Sequence, residues 1–183
     1  MKNLTNSILE FWFDEEVKTK WFIKDKNFDE EIKLKFLDDY QFVKTQSIEE
    51  LTKSNKATHI LARIIILDQF PRNIFRDKKE AFATDKKALE LAKFIVKNDM
   101  DNHLTFDELK FIYMPFMHSE NLEDQNKSVE LFKKNADENS LDYAIQHQEI
   151  IKKFGRFPHR NKILGRNSST EEIDFLKQLN SSF

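Results

Sequence analysis

The chain has 183 residues, of which 39% are hydrophobic, 34% charged and 13% aromatic, and its formal net charge is −2. This length predicts one domain over residues 1–183 with a substantial core, and the aromatic content argues against disorder. The small net charge gives no general attraction to nucleic acid or to an anionic membrane, so we expect neither as a partner. The sequence contains no cysteine, which excludes disulfides, zinc–thiolate centres and thiol nucleophiles.

Two glycines and three prolines leave few helix breakers, so the sequence predicts an all-α fold. Residues 57–69 are apolar almost all round, which predicts a central buried helix. We expect Pro71 to end that helix, because its ring clashes with the preceding turn and it has no N–H. Apolar spacing predicts further helices. In chain order, these are a helix over 5–13, a helix that begins at about 28 with Asn27 as its cap, a short helix or turn over 47–53, and a helix over 84–98.

The second half of the chain carries clear helix signals. Thr105-Phe-Asp-Glu108 and Ser169-Thr-Glu-Glu172 match the capping box, in which the first and fourth residues bond each other's backbone. They predict a helix from 105 to about Met114, before Pro115, and a last helix after 169. Between them we expect a helix over 121–136 and another that Ser140 caps and Gly155 ends. About eight helices with short connections are compatible with antiparallel pairs stacked as a short solenoid.

Arginine is rare and clustered. Lysine and arginine total 30, and only six of these are arginine. Five of the six lie in two stretches, LDQFPRNIFR (the first segment, 67–76) and FGRFPHRNKILGR (the third segment, 154–166). Because this chain uses lysine elsewhere, arginine marks places where a planar fork of five donors matters.

The first and third segments resemble each other, since each places an arginine–asparagine pair shortly after Phe-Pro. One interpretation is two arginine-bearing loops that converge on one phosphate or carboxylate. The other is structural, with arginines that cap helix ends and bind buried carbonyls or Asp68. The sequence leaves both interpretations open.

A second segment, YMPFMHSENLEDQ (113–125), contains the remaining proline. His118 can exchange a proton near neutral pH, with Glu120 or Asp124 to orient it. A helix start at Ser119 or Asn121 explains the capping and acidic residues but not His118 and Glu120. His147 shares a helical face with apolar residues, and both a core role and a site role stay open for it.

Together the three segments, with the aromatic pairs FWF (11–13) and WF (21–22), resemble a bacterial family known as domain of unknown function 924. The resemblance runs from about Ile8 to Glu172 and implies a tetratricopeptide-like α-helical superhelix, with no established activity. The family pattern maps onto Trp12, Trp21, Asp68, Gln69, Arg72, Asn73, His118, Ser119, Glu120, Gln125, His147, Arg156, His159, Arg160, Asn161 and Arg166.

The leading hypothesis is a cytoplasmic protein that binds, and can turn over, a small anionic metabolite in a pocket formed by the three segments. Candidate catalytic residues are His118, Glu120 and His159. Candidate ligand-binding residues are Asp68, Gln69, Arg72, Asn73, Asp124, Gln125, His147, Arg156, Arg160, Asn161 and Arg166. We expect no metal and no cofactor. The alternatives are a tetratricopeptide-like module that grips a peptide carboxylate without catalysis, and a wholly structural network.

Overall fold

The computed structural model describes residues 4–135, 137–178 and 181, and the regular elements within them are all helical. The all-α prediction is therefore confirmed. Stacking into a superhelix stays a prediction. The α-helices are α1 (Leu4–Trp12), α2 (Glu15–Lys18), α3 (Lys26–Thr45), α4 (Ile48–Thr52), α5 (Ala57–Ile64), α6 (Phe70–Ile74), α7 (Asp85–Lys97), α8 (Phe106–Met117), α9 (Leu122–Asn135), α10 (Glu138–Phe154) and α11 (Thr170–Leu176).

Local signals fix most of the helix ends. The capping boxes at Thr105 and Ser169 are both formed, and Ser47 forms a third one ahead of α4. Gly155 ends α10 in the left-handed region at φ 68°. Only a residue without a side chain adopts this conformation without strain, so the glycine explains why α10 stops there.

Two predicted caps were wrong by two or three residues. Asp25, not Asn27, caps α3, because its Oδ1 accepts from the backbone N–H groups of Asn27 and Phe28 at 2.8 and 3.3 Å. Asp137, not Ser140, caps α10, and its Oδ1 accepts from the backbone N–H of Ser140 at 2.9 Å. In both cases a carboxylate just upstream offers a stronger acceptor to the helix N-terminus.

Pro71 does not end the central helix, contrary to the prediction. A π-helical turn, Ile65–Gln69, follows α5 and leads directly into α6, so the chain stays helical from 57 to 74. The wider turn accommodates the proline, and other groups bond the carbonyls around it. The Thr84 hydroxyl donates to the carbonyl of Leu67 at 2.5 Å, and the Arg72 guanidinium donates to the carbonyl of Asp68.

Pro115 is also tolerated inside a helix, and α8 continues to Met117 rather than ending near Met114. Apolar packing outweighs the lost hydrogen bond, because Phe111, Ile112 and Phe116 on this helix are all buried. The helix consequently carries His118 to its last turn, where His118 is the C-cap residue.

The core surrounds the buried central helix. Trp12 lies within 5.5 Å of the Phe70 ring and 5.4 Å of the Phe111 ring, measured between centroids, which ties α1 to α6 and α8. Helices α8, α9 and α10 pack in sequence, and α7 packs against both α5 and α8. Within residues 4–135, 137–178 and 181, no helix combines the length and apolarity needed to cross a membrane.

Candidate functional site

The three segments meet at one place. His118 of the second segment contacts Asp68 of the first, and Glu120 of the second contacts Arg166 of the third. Arginines of the first and third segments approach the same carboxylate, that of Asp85. Chain folding therefore brings these distant motifs together.

Asp68 is completely buried and holds His118. The Nδ1 of His118 lies 2.9 Å from the Asp68 Oδ1, and the amide of Gln69 donates to Oδ2 at 2.5 Å. Asp68 lies in the π turn and contacts His118, which directly follows α8. Burial works against ionisation here, but the charge of Arg72 and the bonds from His118 and Gln69 hold the pKa of Asp68 below its usual value.

The ionised Asp68 fixes the state of His118. A carboxylate only accepts hydrogen bonds, so the Nδ1 of His118 carries the proton that it donates. Burial and the nearby positive charge of Arg72 lower the pKa of His118 below its usual 6.5. At neutral pH the ring is therefore neutral, and its Nε2 has a free lone pair that can accept a proton.

Arg72 and Arg160 converge on Asp85, the first residue of α7. Arg72 forms a two-pronged contact, with Nη1 3.0 Å from Oδ1 and Nη2 3.2 Å from Oδ2. The Nη1 of Arg160 approaches the same Oδ2 only to 3.5 Å. Asp85 thus neutralises Arg72 well and Arg160 weakly.

Arg160 is a buried cation that lies close to two aromatic rings. Its guanidinium carbon lies 4.7 Å from the ring centre of Phe82 and 4.5 Å from that of Phe157, while the residue is 7% exposed. Its Nε has no hydrogen-bond partner among the residues the structure describes. Burial lowers the pKa of Arg160 to about 10, which leaves it charged at neutral pH.

Glu120 connects the second and third segments. Its two carboxylate oxygens accept from the Arg166 guanidinium at 2.7 and 3.0 Å, and Oε1 also accepts from the backbone N–H of Phe157 at 2.8 Å. Although burial opposes it, these bonds lower the pKa of Glu120. The ionised Glu120 therefore anchors the third segment. It also lines a pocket beside Arg160 and His118.

The two Pro-containing motifs use their asparagines differently from their arginines. The Asn73 amide donates to Asp29 of α3 at 2.8 Å, and Arg76 binds the same carboxylate with two bonds of 2.6 Å. The Asn161 amide donates to the Ser168 hydroxyl at 3.0 Å. In each motif the arginine faces Asp85, while the asparagine binds a different side chain, that of Asp29 or Ser168.

Three other candidate residues bond locally. Arg156 binds Glu172 through Nε and Nη2 at 2.6 and 2.8 Å, and this tethers α11. The Gln125 amide donates to the carbonyls of Met117 and Ser119, at 2.7 and 2.6 Å, and so closes the α8–α9 turn. Asp124 accepts from the Ser119 hydroxyl at 2.8 Å and from Lys93 at 2.5 Å.

His147 and His159 both pack against Phe157. The Nδ1 of His147 lies 2.8 Å from the carbonyl of Tyr143, and its ring centre is 5.5 Å from that of Phe157. The ring centre of His159 lies 5.6 Å from that of Phe157. Burial lowers the pKa of His147 to about 3 and that of His159 to about 4, so both are neutral at pH 7.

A pocket of about 760 Å³ opens beside Arg160 and His118. Residues of the first segment do not line it; Asp68 and Arg72 act from behind, through His118 and Asp85. This differs from the prediction that the first segment would form the pocket. The wall combines residues 79–83, one face of α7, the end of α8, the turn into α9 with its first residues, and the third segment. Its residues are Lys79, Glu80, Phe82, Ala83, Asp85, Lys86, Leu89, Glu90, Lys93, Pro115, His118, Ser119, Glu120, Asp124, Arg160 and Leu164.

The comparisons with known proteins agree with this architecture. The sequence profile of a family described as "Bacterial protein of unknown function (DUF924)" matches residues 8–180. The chain belongs to this family. A solved structure of a protein of unknown function from Agrobacterium tumefaciens is 33% identical to this chain and superposes with a TM-score of 0.88, covering 95% of this chain and 97% of that one. No curated protein matches the sequence.

The family motifs do not contain two residues that the geometry makes prominent. Asp85 contacts both Arg72 and Arg160, and the ring centre of Phe82 lies 4.7 Å from the guanidinium carbon of Arg160. Phe82 lies in a short 3-10 helix, Lys79–Phe82, just before α7. Neither residue had a local signal, because Asp85 is one of many acids at helix starts and Phe82 is one of 18 phenylalanines.

Among residues 4–135, 137–178 and 181, no group of three or more histidine, aspartate or glutamate side chains is arranged to hold a metal ion. Of the carboxylates that line the pocket, Asp85 binds Arg72, Glu120 binds Arg166 and the backbone N–H of Phe157, and Asp124 binds Lys93 and the Ser119 hydroxyl. The chemistry the site offers is thus proton exchange and anion recognition by charged hydrogen-bond donors.

Proposed function

We propose that this protein binds a small anionic metabolite in the pocket beside Arg160, with His118 as the group that exchanges a proton with the ligand. One observation carries the proposal: Arg160 is a buried, charged guanidinium on the wall of a pocket, and its nearest carboxylate is 3.5 Å away. A buried cation with so weak a counter-ion favours a further anion.

The charges around the pocket support Arg160 as the anchor. Arg72 binds Asp85 with two bonds, Arg166 binds Glu120 with two bonds, and Lys93 pairs with Asp124. These pairs neutralise the wall carboxylates Asp85, Glu120 and Asp124. Arg160 is the buried arginine on the wall, and the exposed Lys79 and Lys86 add positive charge to the same pocket.

His118 supports the further proposal of chemistry on the bound ligand. Asp68 holds its Nδ1–H at 2.9 Å, which leaves Nε2 as the basic atom of a neutral imidazole. His118 also lines the pocket, so a ligand held by Arg160 lies beside a base with a fixed orientation. Proton abstraction or activation of a water molecule are the two reactions that such a pair of residues serves.

The volume of the pocket, about 760 Å³, lies in the range of pockets for drug-sized ligands, roughly 300–1,000 Å³. The pocket is open to solvent and its wall draws on several helices, which is also compatible with a peptide in a groove. Binding of a peptide is therefore one outcome of the test.

The test is ligand-dependent thermal stabilisation with a library of carboxylated and phosphorylated metabolites. Arg160→Gln removes the charge of the anchor, and His118→Gln removes the base. The control is Arg156→Gln, which alters an arginine of the same segment that binds Glu172 outside the pocket wall. We expect at least one metabolite to raise the melting temperature of the wild type and of Arg156→Gln but not of Arg160→Gln.

His118→Gln should retain binding and lose turnover of the metabolite identified, measured by product formation. The proposal is wrong if no small anion stabilises the wild type, or if Arg160→Gln responds as the wild type does. Stabilisation by peptides with a free carboxyl terminus, and not by metabolites, would replace it with the interaction-module alternative.

A further inference from the structure

We infer that the ligand is amphipathic, with an anionic head group joined to an aliphatic or aromatic body, rather than an anion with a sugar-like body. This inference rests on the proposed function and narrows its ligand class. It follows from where the apolar residues of the pocket lie relative to Arg160 and His118, and from the scarcity of neutral hydrogen-bonding side chains on the wall.

On α7 and α8, an apolar residue of the pocket lies one helical turn from a polar one. Leu89 is four residues after Asp85, and Pro115 is three residues before His118, so each pair shares a helix face. These spacings correspond to about 4.5–6 Å along a helix. All four residues line the pocket, and α7 packs against α8. The two helices therefore place apolar surface directly beside the polar groups.

The third segment has the same arrangement. The backbone N–H of Leu164 donates to the carbonyl of Arg160 at 2.9 Å, so these two pocket residues lie one turn apart. Phe82 also lines the pocket, with its ring centre 4.7 Å from the Arg160 guanidinium carbon. Leu164 is 37% exposed, and Phe82 and Leu89 are half-buried. A ligand body that covers these side chains removes apolar surface from water, which favours binding.

The wall offers few partners to the hydroxyl groups of a polar body. Among the described residues that line the pocket, the neutral hydrogen-bonding side chains are those of His118 and Ser119. The Ser119 hydroxyl already donates to Asp124 at 2.8 Å, and the Nδ1 of His118 is held by Asp68. A polyol placed against the apolar residues would leave hydroxyls without partners, at a cost in free energy.

The head group is not restricted in this way. Arg160 is buried on the wall, and the exposed Lys79 and Lys86 line the same pocket. Carboxylates and phosphates both form charged hydrogen bonds with such cations. The test therefore varies the body of the ligand independently of its head group.

The experiment uses two pairs of six-carbon anions, hexanoate with gluconate and hexyl phosphate with glucose 6-phosphate, and the neutral hexan-1-ol. Binding to the full-length protein is measured by titration of the methyl chemical shifts of Leu89 and Leu164. In each pair we expect the apolar member to shift these signals and to bind at least about tenfold more tightly than the polar member. Hexan-1-ol should bind at least about tenfold more weakly than hexanoate, because it lacks the charge that Arg160 recognises.

Two variants remove apolar surface from the pocket and one serves as a control. Leu89→Asn and Leu164→Asn should each weaken hexanoate binding about threefold or more and leave gluconate binding unchanged. The control is Leu176→Asn on α11, which alters a leucine that is 36% exposed and does not line the pocket. Leu164 is 37% exposed, so its variant reports on the pocket even where Leu89→Asn folds poorly.

The outcomes separate this inference from the proposed function. If the polar member of either pair binds as tightly as its apolar partner, or if both pocket variants bind hexanoate as the wild type does, the inference is wrong while anion binding stands. If hexan-1-ol binds as tightly as hexanoate, the charge plays no part and both are wrong. If none of the four anions binds, the inference is wrong, and the metabolite screen decides the proposed function.

Discussion

Replacing Asp68 with alanine removes the buried carboxylate that organises the candidate site. Asp68 is 0% exposed, and its oxygens contact His118 at 2.9 Å, Gln69 at 2.5 Å and Arg72 at 3.5 Å. Breaking a buried ion pair by removing one partner costs about 3–5 kcal/mol. Arg72 keeps Asp85 as a second counter-ion, so we expect the lower end of that range, about 3 kcal/mol.

The assay is thermal and urea unfolding of the wild type, Asp68→Ala and Asp68→Asn. For a chain of this length, about 3 kcal/mol corresponds to a fall in melting temperature of about 6–12 °C. The amide oxygen introduced by Asp68→Asn can still accept from His118 but carries no charge, so this variant should cost less, about 1–2 kcal/mol. The control is Asp142→Ala, an exposed acid on α10 that we expect to change stability by under about 0.5 kcal/mol.

The pH dependence of this cost gives a second readout. The pKa of Asp68 is lower in the folded protein than in the unfolded chain, where it is about 3.9. Its stabilisation is therefore complete above that value and is lost as pH falls through the folded-state pKa. The stability gap between wild type and Asp68→Asn should narrow in acid. A cost below about 1 kcal/mol for Asp68→Ala, or a gap that does not change with pH, would refute the buried ion network.

Three further predictions concern the surroundings of the site. Glu120→Gln weakens the bonds to Arg166 and should destabilise the protein by about 1–2 kcal/mol in urea unfolding. The cost is modest because Glu120 is only half-buried and solvent screens these bonds. No loss of stability would mean that Glu120 does not anchor the third segment. Gly155→Ala should cost about 1 kcal/mol of stability through backbone strain alone, since φ is +68° and nothing lies within 4 Å of the added Cβ. Gly155→Asn should cost less, and equal stability of Gly155→Ala and the wild type would contradict this reasoning. His147→Gln should make the free energy of unfolding fall less steeply between about pH 6.5 and 4. The pKa of His147 is about 3 in the folded protein, so its contribution to stability is lost as pH falls below its pKa in the unfolded chain, about 6.5. An unchanged slope would show that His147 is not a buried neutral base.

Much of the fold could be read from local sequence, because helix ends depend on a few adjacent residues. The capping boxes at Thr105 and Ser169 and the left-handed Gly155 each act within one turn, and all three were predicted correctly. The two prolines were misread because their tolerance depends on distant groups. Pro71 is accommodated by a π turn whose Leu67 carbonyl is bonded by Thr84, 17 residues away in sequence.

The candidate site was predictable in its arginines and histidines but not in their partners. Because arginine is rare in this chain and lysine is abundant, the sequence draws attention to Arg72 and Arg160. In the structure both arginines contact the same carboxylate. That carboxylate, Asp85, is 75 residues from Arg160 in sequence. No local pattern specifies a contact of that separation, so long-range pairing of this kind requires the folded chain.

The sequence alone also does not distinguish arginines that hold the chain around the site in place from arginines that line the pocket. Arg156 and Arg166 have the same chemistry as Arg160 and lie in the same segment. Their difference lies in their acids, since Glu172 and Glu120 each offer a close two-pronged contact while Asp85 is already engaged by Arg72. Competition for counter-ions in three dimensions therefore makes Arg160 the candidate anchor.

The most direct measurement is a crystal structure of the protein soaked with 4-bromophenylacetate, with the bromine located by its anomalous scattering. We expect the carboxylate within hydrogen-bond distance of the Arg160 guanidinium and the bromine inside the pocket, against Leu89 or Leu164. Bromine found only at other surfaces would contradict the proposed anion site.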